Sequence, residues 1–321
     1  MHTALDNFRF GPGYDVAVRS CAGIGAFRRP ENQDNYLLID HDGIAGFLFG
    51  QAPQRSKVPG WPPGHARVAV LDGMGGHGHG REAAEAVAMS LLAVPPCRDV
   101  SELSLHLDAL HTRLQQQFAP LGHTQLRPGT TLTLLELPAN GPALLYHVGD
   151  SRLYEIGADV ASVLTIDHVP ATMFAMDGLL GEREWWQQVH GEHRPQIAQA
   201  FLLGNTFDNP AHLADPLREL TPALLPGWLR PLHDRRAISL HPGAAYLLAT
   251  DGFWSCAHAL DWVGRWPSLF ARSPSAGAMA DALFDEIEAN PPRGLVSDNL
   301  TALVLRPLAP AGSDETALPG R

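Results

Sequence analysis

Three short apolar segments of this chain end on an aspartate, and a fourth begins on one. Arg67-Val-Ala-Val-Leu71 runs into Asp72-Gly73, Leu144-Leu-Tyr-His-Val148 into Gly149-Asp150-Ser151, and Tyr246-Leu-Leu-Ala-Thr250 into Asp251-Gly252. Asp298-Asn299 directly precedes Leu300–Leu305. Segments this short and this rich in Val, Leu, Thr and Tyr are expected to be strands. In an antiparallel sheet the end of one strand and the start of its neighbour share an edge, so all four carboxylates can meet there. Asp-Gly is also ordinary turn chemistry, and any one pair is explained that way. Four of them flanking apolar strands ask for more, because clustered carboxylates repel unless a cation neutralises them. No thiolate or imidazole stands at a matching position, so the donors are all oxygen, which suits Mg²⁺ or Mn²⁺ better than Zn²⁺.

The remaining pattern is α+β. Further strands are expected at Thr131–Leu137, Ala143–Val148 and Leu153–Ile156. A helix over Glu82–Leu92 carries Ala84, Val87, Ala88 and Leu91 on one stripe. A second opens at Asp99 with Glu102 three residues on, a capping-box spacing, and buries Leu103, Leu107, Leu110, Leu114 and Phe118. A third, Ser275–Ala289, turns Ala276, Met279, Leu283 and Ile287 inward. Gly43–Ala66, rich in Gly and Pro, reads as a long loop, and residues 311–321 as a disordered tail after a single domain over 1–310.

Charge narrows the partners. Lys and Arg total 23 against 34 Asp and Glu, a formal net charge of −11, which argues against nucleic acid and against an anionic membrane surface. No apolar run approaches the roughly 20 residues of a spanning helix, and Met1–Tyr14 lacks the pattern of a secretory signal. Cys21, Cys97 and Cys256 are odd in number and outside any CxxC spacing, as expected of reduced thiols in a cytoplasmic protein.

Seven short motifs, in order between Asp15 and Arg306, carry a resemblance. They are Arg28-Arg-Pro-Glu-Asn-Gln-Asp-Asn35, Val70-Leu-Asp-Gly-Met-Gly-Gly-His77, Gly129-Thr-Thr131, His147-Val-Gly-Asp-Ser-Arg152, Leu164-Thr-Ile-Asp-His168, Leu248-Ala-Thr-Asp-Gly252 and Ser297-Asp-Asn-Leu-Thr301. Together they resemble the metal-dependent protein Ser/Thr phosphatases of the PPM, or type 2C, family in its bacterial form. The resemblance implies two antiparallel β-sheets in a central sandwich flanked by helices, with the metals at one end. It implies hydrolysis of phosphoserine and phosphothreonine by a metal-activated water, with two Mn²⁺ or Mg²⁺ ions and room for a third. By motif position, Asp72 bridges both metals and Gly73 offers its carbonyl to one of them. Asp251 and Asp298 complete one site, Asp34 reaches the other, and Asp150 belongs to the looser third position. Arg29 matches the phosphate-binding arginine, for which a guanidinium fork is suited; Arg28 is the adjacent competitor. The implied partners are phosphorylated proteins and a cognate Ser/Thr kinase pathway, for a monomeric enzyme.

The match has departures. Gln33 stands where many members carry Glu, and Met74 where some carry His. His77 and His79 look like a zinc pair but lack further N or S donors nearby, so they are expected in the loop before the helix. Ser151 and the pair Trp185-Trp186 are expected to be structural. Residues 169–233 correspond to the family's variable flap, expected as a mobile element that selects substrates. The competing reading is a catalytically dead phosphatase fold serving as a scaffold or regulator.

Overall fold

All the strands expected from the apolar runs form, and they divide between two antiparallel sheets. The computed structural model describes residues 8–74, 79–118, 128–191, 196–209 and 216–309. One sheet has five strands in the order Tyr14–Cys21, Leu300–Pro307, Ala245–Ala249, Arg152–Ile156 and Ala161–Val163. The other has seven, in the order Arg235–Ile238, Ala143–Val148, Leu132–Leu137, Ala66–Leu71, Asn35–Ile39, Ile44–Phe49 and Ala52–Lys57.

The central strands lack polar alternation because both faces of each sheet are covered. Successive side chains of a strand point to opposite faces. Leu38, Val68, Leu135 and Leu145 of the seven-stranded sheet accordingly meet Leu153, Leu248 and Leu303 of the other in the inter-sheet core. Their neighbours Leu37, Ala69, Leu134 and Leu144 face the helices Gly80–Leu91 and Val100–Phe118. On the far side, Leu247, Ala249 and Val304 pack against the helices Ala259–Val263, Trp266–Phe270 and Ala276–Ala289. The layers run helix, sheet, sheet, helix, and the expected α+β sandwich is what the chain adopts.

Local chemistry sets the helix starts. Asp99 Oδ1 accepts from the amide of Glu102 at 2.9 Å while Glu102 Oε2 accepts from the amide of Arg98, satisfying donors that the first turn leaves free. Ser275 caps the last long helix, its Oγ accepting from the amide of Ala278.

One expectation needs correction. Gly43–Ala66 is not a loop: Ile44–Phe49 and Ala52–Lys57 form a β-hairpin at the edge of the seven-stranded sheet, turning at Gly50 and Gln51, both at positive φ. Its composition misleads because Pro53 sits on the exposed outer strand, where a missing N–H is tolerated. Gly46 is internal because a Cβ there would lie 2.4 Å from the Phe8 ring. The described parts of the segment 169–233 are well structured. It holds the helices Pro170–Met176 and Glu182–Trp186 and a core of its own, with Met173, Trp185, Leu220 and Leu229 buried together. The tail at 311–321 lies outside the described residues.

Register explains why the aspartates gather. Asn35 pairs with Leu71, so Asp34 and Asp72 extend from the same end of neighbouring strands. In the other sheet Ala249 stands opposite both Arg152 and Ala302. Asp150, Asp251 and Asp298 therefore extend from adjoining strands at one edge.

Candidate active site

The five aspartates converge where the two sheets end together. Asp72 is half-buried, and its carboxyl lies beside that of Asp251. Burial pushes the Asp72 carboxyl well above the usual range, and Asp251, Asp34, Asp150 and Asp298 push it further. Asp150 is also held well above its ordinary value by burial, with Asp251 and Asp167 adding to the effect. Burial raises Asp251 as well, against the lowering influence of its neighbour Asp72 and of the hydrogen bond from Ser255. Burial likewise pushes Asp34 up to about 8, although hydroxyls of Thr250 and Thr301 bond to it.

Acids so arranged cannot all ionise without a counter-charge. Their oxygen-only chemistry fits divalent Mg²⁺ or Mn²⁺. Among the described residues, however, no group of three His, Cys, Asp or Glu side chains forms a ready ligand set. The carboxylates are neighbours, but Asp298 is paired with Arg29. Gly73 lies at the crowded floor of the site. A Cβ there would fall 2.2 Å from the Gln33 carbonyl oxygen and 2.5 Å from that of Gly80, so only glycine fits.

Arg29 reaches the same edge. Its Nη2 lies 3.1 Å from Asp298 Oδ1, and its Nε donates to the Ser297 carbonyl at 2.9 Å. The rest of the guanidinium is exposed enough to meet a solvent-borne anion. Each residue expected from the motifs, Arg29, Asp34, Asp72, Gly73, Asp150, Asp251 and Asp298, is thus brought to one end of the sandwich.

Reading from strand ends missed the groups that hold these acids in place. Asp34 Oδ2 accepts from Thr250 Oγ1 and Thr301 Oγ1, both at 2.8 Å. Thr131 clasps Asp72 from two sides: its Oγ1 accepts from the Asp72 amide at 2.9 Å and its own amide donates to the Asp72 carbonyl at 3.0 Å. Arg152 lies buried behind Asp150 and Asp251. Its Nε and Nη2 grip the Asp167 carboxylate, its Nη1 donates to Tyr154 Oη, and the fork stacks on Trp254 at 4.6 Å. All three threonines stand inside the quoted motifs, so position marked them although composition did not.

Ser151 and Trp185 take the structural roles expected of them. Ser151 is buried with its Oγ 2.8 Å from Thr131 Oγ1. Trp185 is buried and donates from Nε1 to Thr172 Oγ1. His79 is an exposed side chain 4.0 Å from Glu82, and His77 lies outside the described residues. A cleft of about 660 Å³, counting its open mouth, leads away from Asp150 and Asp251 toward the helix Pro170–Met176.

No protein-family model matches the chain, and no curated protein does. Solved structures do. The S. agalactiae serine/threonine phosphatase superposes with a TM-score of 0.62 at 19% identity, covering 91% of this chain and 99% of that one. PppA of Pseudomonas aeruginosa, described as a key regulatory component of T6SS, gives 0.57 at 23% identity, covering 92% and 98%. The PPM Ser-Thr phosphatase MsPP of Mycobacterium smegmatis, in complex with cacodylate, gives 0.55 at 22%, again covering 92% and 98%. At such identities the likeness is one of fold: the chain adopts the fold of the bacterial PPM Ser/Thr phosphatases over nearly its whole length.

Proposed function

We propose that this protein is a metal-dependent phosphoprotein phosphatase acting on phosphoserine and phosphothreonine. The carrying observation is the meeting of five aspartates from separate strands with Arg29 at one sandwich edge. Asp72, Asp251, Asp298, Asp34, Asp150 and the Gly73 carbonyl would hold the divalent ions, and a PstP catalytic domain of the same fold is described in complex with 2 manganese ions. Such ions supply an acidified water as nucleophile and neutralise phosphoryl charge.

The protein's own groups do the rest. Arg29 would orient the phosphate through its free guanidinium edge, in ground and transition states alike. Thr250 and Thr301 hold the Oδ2 oxygen of Asp34, so that its other oxygen would be the one offered to an ion. No described side chain offers itself as a covalent nucleophile here: Ser151 is buried and bonded, and burial pushes the Cys256 thiol up to about 11. The reading of a dead scaffold would be favoured by a missing cluster carboxylate, and all five are present.

Phosphorylated proteins and a kinase pathway are the partners this reading implies. No described helix is long and apolar enough to cross a membrane, and the three thiols are free, which supports a cytoplasmic setting. We take residues 1–310 as one catalytic domain working as a monomer. The test is hydrolysis of a small aryl phosphate and of a phosphothreonine peptide by purified protein, with EDTA, Mg²⁺ and Mn²⁺ in parallel. Turnover of both substrates only with added metal supports the assignment; equal turnover in EDTA rejects it.

A further inference from the structure

The cleft that opens from Asp150 and Asp251 has a construction that the hydrolytic reaction alone does not require. Its walls are Val169, Pro170, Ala171 and Phe174 on one side and Trp254 and Ala259 on the other. Phe174 keeps 44% of its surface exposed although it lines this space. The polar lining includes Gln188 and Gln196 and the Arg152–Asp167 pair, and that pair is already satisfied. Arg152 spends its fork on Asp167, on the Val189 carbonyl at 2.7 Å and on Tyr154, while both Asp167 carboxylate oxygens accept from Arg152. A charged group entering here would shed water and gain nothing from the satisfied Arg152–Asp167 pair, the acids Asp150 and Asp251 standing at the metal edge, whereas an apolar one would trade water for Phe174 and Trp254.

A second feature marks the cleft as a place where something docks. His190 lines it, is only 4% exposed, and among the described residues its Nε2 has no hydrogen-bond partner. Burial holds this imidazole well below its ordinary pKa, hence neutral. It sits in a single π-turn, Gln187–Gly191, a local irregularity that recurs at functional sites. A buried polar atom left unpaired is unfavourable unless another group supplies the bond.

We propose that this cleft is a specificity subsite that seats an apolar side chain of the substrate protein, from a residue close to the phosphorylated one. The proposal rests on the phosphatase reading, because the cleft shares Asp150 and Asp251 with the candidate metal edge. A phosphate placed between Arg29 and the aspartates brings its flanking residues to that mouth. The main chain entering with the apolar side chain would supply the bond that His190 Nε2 lacks. Phe174 and Ala171 are then the residues that set the preference.

The experiment uses the full chain with Mn²⁺ and phosphothreonine peptides with alanine at every flanking position. Each position within two residues of the phosphothreonine is replaced in turn by Leu, Phe, Asp or Lys, and kcat/KM is measured. At one position, Leu or Phe should exceed Ala by about tenfold, the scale expected for seating one apolar side chain. Phe174→Ala, which removes a wall, and Ala171→Leu, which fills the space, should bring that ratio toward one. Both variants should hydrolyse the all-alanine peptide as the wild type does. Equal rates for Leu, Phe and Ala at every position would overturn the proposal. So would a ratio that survives both variants, or a preference for Lys, which would assign the cleft to the charge of Asp150. An aryl phosphate hydrolysed in a metal-dependent way alongside such a flat profile would remove the subsite and leave the phosphatase reading standing. Failure to hydrolyse any phosphate ester would remove both.

Discussion

Thr250 Oγ1 donates to Asp34 Oδ2 at 2.8 Å, tying a residue near the N-terminus to the strand that delivers Asp251. Thr301 Oγ1 donates to the same oxygen, and the Thr301 amide in turn donates to Thr250 Oγ1 at 3.1 Å. Two sheets are thus linked through one carboxylate oxygen. Thr250→Val keeps the shape and removes the donor. A hydrogen bond to a charged group contributes about 1.5–3 kcal/mol, so Mn²⁺ affinity measured by calorimetry should fall by about tenfold or more. Thr250→Ser should restore it; a Thr250→Val protein that binds Mn²⁺ as tightly as wild type would show that the hydroxyl does not position Asp34.

Removing a cluster carboxylate should separate stability from activity. Asp72→Asn and Asp251→Asn each delete a charge from a group of acids that burial and mutual repulsion disfavour. Measured in EDTA, both variants should melt above wild type. With Mn²⁺, both should lose nearly all turnover. Melting below wild type in EDTA together with full activity in Mn²⁺ would place the site elsewhere.

Arg29→Ala should raise KM for a phosphopeptide and lower kcat more modestly, since a phosphate clamp acts in both ground and transition states. Arg29→Lys keeps the charge without the two-pronged fork and should fall between. The same kinetics from Arg28→Ala, with Arg29→Ala silent, would move the clamp by one residue.

The metal-free protein should lose stability as pH rises. Asp34 has an ordinary value of 3.8 and is pushed up to about 8 in the fold, chiefly by burial. Folding therefore retains a proton between those values, and the stabilisation present at low pH is lost as pH climbs through about 8. In EDTA, the melting temperature should fall between pH 5.5 and 8.5. Each carboxyl so affected contributes at most about 1.4 kcal/mol per pH unit. Mn²⁺ should flatten the slope by taking the proton's place, and Asp34→Asn should reduce it. A melting temperature that rises over that range in EDTA would contradict the buried cluster.

The chain's linear order was enough to mark the strand-terminal acids. Apolar runs such as Arg67–Leu71 and Tyr246–Thr250 announce strands by composition, and an aspartate directly after each needs no third dimension to be noticed. The α+β class and the three long helices were legible for the same reason: periodicity and capping are local, as Asp99 and Glu102 show. The hairpin Ile44–Lys57 was not, because Gly46 and Pro53 oppose local strand propensity and are admitted only by Phe8 packing and an exposed edge. The segment 169–233 likewise hid a core whose members, from Met173 to Leu229, come together only in space. What holds the acids was decided wholly by tertiary structure. Thr250 lies 216 residues from the Asp34 that it bonds, and Thr301 lies 267; no local pattern encodes such a contact. Sequence could say which residues carry charge, but strand register and burial determine which charges meet, which hydroxyls pin them and where a neighbouring cleft opens.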